Sequence, residues 1–248
     1  MYTYLHDLAF AVFPYIAGSV FLVGSLIRFE KSQYTWKSNT TQMMSGGRTF
    51  RWGINLFHIG IIFLFFGHLF GLLTPVWLYN AFGITSGFKQ LLAITTGGLF
   101  GLLTLVGVII LLHRRLTNPR VRKTSYPMDS FILILLAAQL ITGLLTIPVS
   151  TGHLDGEVIV KISAWAQGLV TFQTGAAATI YDVHWIYKLH MFLGMIMFLV
   201  FPFTRLVHVW SVPYGYIWRS YQIVRARAGA ATRRLGRGKP ATVANKPG

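Results

Sequence analysis

Five runs of this chain, residues 8–27, 54–74, 91–112, 131–149 and 185–204, are almost wholly apolar. Each has about the 20 residues that an α-helix needs to cross about 30 Å of hydrocarbon. No water pairs with backbone N–H and C=O groups inside a bilayer, so runs of this length resolve into helices that satisfy their own backbones. The sequence therefore predicts an all-α fold, a five-helix transmembrane bundle. Composition agrees, since 54% of the 248 residues are apolar and only 11% charged, unlike a water-soluble domain. An odd number of crossings puts the two termini on opposite sides of the membrane.

Charge then orients the bundle. The formal charge is +16, from 22 Lys and Arg against 6 Asp and Glu. It falls between the apolar runs rather than on a basic soluble fold, which argues against nucleic acid and for anionic lipid or a docked protein partner. Arg28, Lys31, Lys37, Arg48 and Arg51 follow the first run, and Arg114, Arg115, Arg120, Arg122 and Lys123 follow the third. Nine more lie from Arg205 onward, whereas the connections after the second and fourth runs hold only Lys89 and Lys161. Positive loops stay in the cytoplasm, so the N-terminus is expected outside and the C-terminus in the cytoplasm. Met1 to Asp7 carry no Lys or Arg and no small-residue cleavage pattern follows, so the first run is expected to remain as an anchor.

Residues 1–224 read as one transmembrane domain. Residues 225–248, rich in Ala, Gly, Arg and Lys, read as a disordered basic tail, because such a composition buries too little surface to fold. In the long connection 150–184, residues 158–170 are expected to form a short interfacial helix with Trp165 at headgroup depth.

Ionisable groups at membrane depth are costly, so each demands a partner. The second run holds His58 and His68, and the fifth carries His190 with His208 just beyond. These two helices cross in opposite directions, which pairs His68 with His190 at the outer end and His58 with His208 at the inner end. Two facing imidazoles can grip an iron porphyrin from both sides and leave no vertex for oxygen, the arrangement of an electron carrier. The rival readings are a proton relay, a small metal site and a haem-free anchor, and the apolar runs supply no carboxylate for the first two. With no cysteine in the chain, iron–sulfur clusters on thiolates and covalently attached c-type haem are excluded, so any haem here is held without covalent links. One mismatch stands out: ten residues separate His58 from His68, about 15 Å of helix, but eighteen separate His190 from His208, about 27 Å. A bend at Pro202 is expected to absorb it. Gly60, Gly67, Gly71, Gly97, Gly98, Gly101 and Gly194 offer either room for a flat macrocycle or tight helix packing, packing being expected for each taken singly and above all for Gly97 and Gly101, four apart. His6, His113, His153 and His184 fall at helix ends or in loops, where solvated or interfacial roles are expected, with His184 as a reserve ligand.

Several stretches carry a resemblance: Pro14-Tyr15-Ile16-Ala17-Gly18, Gln33-Tyr34-Thr35-Trp36, Asn55-Leu56-Phe57-His58-Ile59-Gly60, Gly67-His68, Leu73-Thr74-Pro75, and Phe201-Pro202-Phe203-Thr204-Arg205-Leu206-Val207-His208-Val209-Trp210-Ser211-Val212-Pro213. Over residues 15–227 the chain resembles the gamma subunit of respiratory membrane-bound nitrate reductase, a family of dihaem cytochromes b. The residues beyond 227 look like an extension.

The resemblance implies two haem b groups, an outer one on His68 and His190 and an inner one on His58 and His208. It implies a quinol site at the outer haem involving Lys89 and Gly67, although the loop length around residues 83–88 differs slightly from the family pattern. It also implies an iron–sulfur beta subunit and a molybdenum alpha subunit as partners, in the inner membrane of a bacterial or archaeal cell. Quinol would release its protons outside while electrons run inward, storing about 2.3 kcal/mol per electron for each 100 mV of membrane potential. Arg205, one turn from His208, is the expected partner of a haem propionate, with Lys188 in that role outside; Arg114 and Arg115 are expected to be ordinary cytoplasmic anchors. The same cytochrome would equally serve a nitrite oxidoreductase or another molybdenum enzyme, because the partner subunit chooses the substrate.

Overall fold

The computed structural model describes residues 2–36, 46–211 and Trp218, so Lys37, the 224/225 boundary and the basic tail lie outside the described residues. Every regular element among the described residues is helical. Five helical stretches are long and apolar enough to span a bilayer: Thr3–Thr35, Arg48–Leu73, Ser86–Thr117, Pro127–Ser150 and Trp185–Phe203. They coincide with the five runs read from hydropathy to within one residue at the ends of the second and fifth, and begin or end a turn or more beyond most of the runs.

The first span is not uniform. α1 (Tyr2–Asp7) passes through a π-helical turn at Leu8–Val12 into α2 (Phe13–Ser32). Pro14 explains the interruption. It has no N–H to give to the carbonyl four residues back, Phe10, and its ring crowds that carbonyl. The Phe10 carbonyl instead accepts the indole N–H of Trp165 at 2.9 Å. Trp165 is consequently buried against the first span.

α3 (Arg48–Leu73) ends at Thr74-Pro75 and leads through the short α4 (Val76–Ala81) into α5 (Ser86–Thr117), whose start is capped by the Thr85 hydroxyl accepting from the Phe88 N–H at 3.2 Å. α6 (Pro119–Lys123) turns the chain into α7 (Pro127–Ser150). α8 (Glu157–Val170) is the short helix expected between residues 158 and 170. It closes the end of α3: the Gln167 amide donates to the Leu72 and Thr74 carbonyls at 2.9 and 3.3 Å, and the Ser163 hydroxyl to Gly71 at 3.3 Å. Those carbonyls have no helical donor of their own. α9 (Trp185–Val200) completes the set.

α3 packs on α5, α5 on α7, α7 on α9, and α9 on α2. Glycine permits the first of these contacts. A Cβ on Gly107 would stand 2.6 Å from the Phe57 nitrogen and 2.9 Å from the Gly53 carbonyl, and one on Gly60 would stand 2.1 Å from the Thr104 hydroxyl. The α3 and α5 backbones thus touch through Gly53, Gly60 and Gly107. Of the two readings for the other glycines, Gly98, Gly101 and Gly194 pack against Ile147, Leu144 and Gln139, while Gly67, Gly71 and Gly97 face open space. Gly97 therefore does not share the packing role of Gly101.

α9 does not run on to His208. Pro202 ends it in a 3₁₀ turn at Phe201–Phe203, Thr204 is extended, and a second 3₁₀ segment, Arg205–Ser211, follows. The chain folds back there, since the rings of Phe201 and Trp210 lie 6.2 Å apart and both touch Phe21. A continuous helix would separate those two residues by about 13 Å along its axis. This resolves the mismatch in histidine spacing: the ten residues from His190 to Val200 advance about 15 Å, as His58 to His68 do, and the rest returns across the bundle.

Candidate functional site

α3 presents His58 and His68, α9 presents His190, and the folded-back segment presents His208. His68 and His190 face each other with ring centres 6.0 Å apart, tilted by 41°. His208 lies within electrostatic reach of His58. The structure thus brings His68 and His190 face to face and places His58 and His208 within electrostatic reach of each other.

In all four, Nδ1 meets a backbone carbonyl. His58 Nδ1 donates to Ile54 at 2.9 Å, His68 to Leu64 at 2.7 Å, His190 to Gln139 at 3.1 Å and His208 to Arg205 at 2.5 Å. A carbonyl only accepts, so the proton sits on Nδ1 and the lone pair on Nε2. That is the tautomer and orientation a metal-binding imidazole takes, with its other nitrogen held by a backbone acceptor. Two metal–imidazole bonds of about 2 Å, plus the ring radii, put the centres of two ligating rings about 6 Å apart. The outer pair has that separation. Among the described residues no group of three or more His, Asp or Glu side chains is placed to hold a metal ion.

The surroundings of His190 are built by α7. Gln139, Thr142, Gly143 and Thr146 recur at helical spacing and form one small or polar stripe towards α9. The Thr142 hydroxyl lies 3.3 Å from His190 Nδ1, and the Gln139 amide lies 3.4 Å from Nε2. Gly143 is the floor of this recess, because a Cβ there would stand 2.8 Å from His190 Cε1. Sequence reading passed over these residues. The signal was present: a glutamine in the middle of an apolar helix raises the same question as a histidine.

At the same end of the bundle, Lys89 holds its ammonium 4.5 Å above the ring of buried Tyr79, whose hydroxyl bonds the Ser86 hydroxyl at 3.0 Å. Nothing comes within 4 Å of where a Gly67 Cβ would stand, so Lys89 does not touch Gly67. His184 is the N-cap of α9, its Nδ1 accepting from the Ile186 N–H at 3.3 Å. His6 is buried, stacked on Tyr181 with ring centres 4.2 Å apart, rather than solvated.

At the inner end, Arg205 Nε pairs with Asp129 Oδ1 at 3.0 Å, and Arg115 pairs with the other oxygen at 3.4 Å while donating to the Ser125 hydroxyl at 2.6 Å. Arg115 and Asp129 are both buried. Arg115 is therefore no interfacial anchor, and a carboxylate stands at the inner end of the bundle where none was expected. Arg114 instead covers the ring of Phe50 at 3.7 Å. Arg28, counted above only as a positive-loop residue, donates to the Pro202 and Thr204 carbonyls at 2.6 and 2.8 Å, pinning the fold-back to α2.

The nitrate reductase gamma subunit family matches residues 6–227. The respiratory nitrate reductase 1 gamma chain of Escherichia coli is 48% identical over 224 residues, covering 90% of this chain and 99% of that one. Its respiratory nitrate reductase 2 counterpart is 48% identical over 227 residues, covering 92% and 100%. The nitrate reductase gamma chain of Bacillus subtilis is 30% identical over 222 residues, covering 90% and 99%. A match of this extent, on a chain with five helices long and apolar enough to span a membrane, makes it a member of the nitrate reductase gamma subunit family.

Proposed function

We propose that this chain is the membrane electron-transfer subunit of a quinol:nitrate oxidoreductase, with His68 and His190 holding an outer haem b and His58 and His208 an inner one. Bound there, the two haems supply reversible one-electron chemistry, linking quinol at the outer face to an iron–sulfur beta subunit and a molybdenum alpha subunit at the cytoplasmic face. The observation that carries this reading is the outer pair, 6.0 Å between ring centres, with both Nδ1 atoms committed to backbone carbonyls. His58 and His68 are also exposed on a membrane-spanning helix. Bare imidazole lone pairs facing hydrocarbon are costly, and an iron that takes each Nε2 removes that cost.

The protein's own part is positioning and exclusion. Four backbone carbonyls fix which nitrogen faces inward, and two imidazoles per centre leave no open vertex. Lys89 donates a hydrogen bond to a quinol oxygen and stabilises the negative charge that develops as protons leave. The open space at Gly67 admits the quinol ring beside His68. Arg205 contributes positive charge toward an inner propionate, in addition to its pairing with Asp129. The basic connections before α3 and after α5 face the cytoplasm, where they meet anionic lipid and the partner subunits, and the N-terminus faces outward.

The test is a reduced-minus-oxidised spectrum of membranes containing the chain with single His→Ala replacements. Two b-type signals are expected, one lost on changing His68 or His190 and the other on changing His58 or His208. A colourless wild-type protein, or loss that does not follow this pairing, refutes the reading.

A further inference from the structure

The fold-back after α9 leaves His208 without the support of a continuous helix. His68 and His58 are held in a 26-residue helix, and His190 lies within the 16 residues of α9. His208 instead sits in a seven-residue 3₁₀ segment beyond the extended Thr204. A short 3₁₀ stretch has poor hydrogen-bond geometry and little rigidity of its own. Its placement must come from what grips it.

Two grips are visible. On one side α2 holds the break itself: Arg28 takes the Pro202 and Thr204 carbonyls, and Gly24, one turn earlier on the same face, makes room for the Pro202 ring, which would lie 2.8 Å from a Cβ there. That grip ends at Thr204. On the other side Asp129 reaches the segment that bears the histidine. One carboxylate oxygen meets Arg205 Nε at 3.0 Å, and the other meets Arg115 of α5 and the Tyr126 N–H at 3.4 and 3.1 Å. Asp129 is 4% exposed, so these contacts are sheltered from water. The Arg205 carbonyl in turn accepts the His208 Nδ1–H. One carboxylate thus ties α5, the start of α7 and the fold-back together, at the same residue whose carbonyl orients the imidazole.

We propose that Asp129 is a positioning residue for His208, acting through Arg205 to set the orientation of the inner imidazole. Its contacts are Arg205, Arg115 and the Tyr126 N–H, not the imidazole ring. Its carboxylate fixes the Arg205 side chain, the side chain fixes the local backbone, and the backbone carbonyl fixes Nδ1. Loss of the negative charge leaves the guanidinium groups of Arg115 and Arg205 sharing one buried site without their shared anion, and the 3₁₀ segment separates from α7 to relieve this. The consequence is confined to the inner end, because the recess of His190 is built by residues 139–146, three turns away along α7.

This inference rests on the assignment of His58 and His208 to one haem, and the experiment separates the two. Asp129→Asn, Asp129→Glu, Arg205→Lys, His58→Ala and His68→Ala are compared with wild type in the full membrane complex, by haem stoichiometry and by the electron paramagnetic resonance signals of the oxidised low-spin haems. The two His→Ala variants identify which signal is the inner one. Asp129→Asn and Arg205→Lys are expected to shift that signal and weaken inner-haem retention about tenfold, the lower range for support of a metal-binding histidine, while the outer signal is unchanged. Asp129→Glu, which keeps the charge, is expected to restore most of the wild-type signal. An inner signal unaltered in Asp129→Asn overturns the proposal. So does equal loss of both signals, which marks general unfolding rather than positioning. If His58→Ala removes neither signal, the haem assignment itself has failed and the inference falls with it.

Discussion

Replacing Gly143 by alanine puts one methyl group against the outer histidine. The added Cβ would stand 2.8 Å from His190 Cε1 and 3.3 Å from Nδ1. Unstrained carbon atoms sit about 3.5–4.0 Å apart, so the ring must retreat by about 0.7 Å or more. It has little freedom to do so. Its Nδ1–H is bound to the Gln139 carbonyl at 3.1 Å, and that carbonyl belongs to the same helix as residue 143. A retreat of this size carries the bond past hydrogen-bonding length and forfeits about 1 kcal/mol, on top of about 1–3 kcal/mol for overpacking. The sum of about 2–4 kcal/mol corresponds to a fall of about 30-fold or more in the population with His190 in place. Functional geometry tolerates about 0.5 Å, so the outer haem is expected to be lost or to change its signal. Haem content per chain and the difference spectrum read the result, with Gly97→Ala as the control, since a Cβ there meets nothing within 4 Å. Two haems with an unaltered outer signal in Gly143→Ala would show that His190 is not held in the recess described.

Lys89→Ala is expected to slow quinol oxidation at least tenfold, by removing a charge-assisted hydrogen bond of about 1.5–3 kcal/mol, while both haems remain; haem loss in that variant would refute a purely substrate-binding role. Gly107→Ala drives a Cβ to 2.6 Å from the Phe57 backbone nitrogen, which has no side chain to yield, so α3 and α5 must part and both haem signals should fall together in purified membranes. On the surface, the Asp182 carboxylate is held below its usual range chiefly by its hydrogen bond to Lys161, and the ammonium is held above its own by Asp182 and then Glu157. The carboxylate contributes above about pH 4 and is lost as pH falls through its lowered value; the ammonium contributes below about pH 10 and is lost as pH rises through its raised one. Corrected hydrogen exchange of the α8 connection should therefore be flat from about pH 5 to 10 and faster throughout in Lys161→Met; a step near pH 6.5 would assign the tether to a histidine instead.

Depth and direction were legible in the sequence because a bilayer imposes them one helix at a time. Hydropathy located five spans, and the opposite directions of the second and fifth paired His68 with His190 and His58 with His208 before any contact was known. The same rule, that a polar group at membrane depth needs a partner, would have found Gln139 had it been applied to amides as well as to ionisable groups. Reading Arg28 and Arg115 by position alone assigned them to lipid, although each bonds inside the protein. Asp129 escaped notice because it lies two residues before the apolar run, within the turn that hydropathy leaves outside the membrane.

What the sequence determined without help was the number of spanning helices, their alternating order and the levels of His58, His68 and His190, all consequences of a 1.5 Å rise and a hydrocarbon slab of limited thickness. Tertiary structure alone decided how the chain returns after Pro202, which glycines touch a neighbour, and which arginines share Asp129. Those outcomes depend on contacts between residues far apart in the chain, such as Arg28 with Pro202 and Arg115 with Asp129. No periodicity within a single helix encodes them.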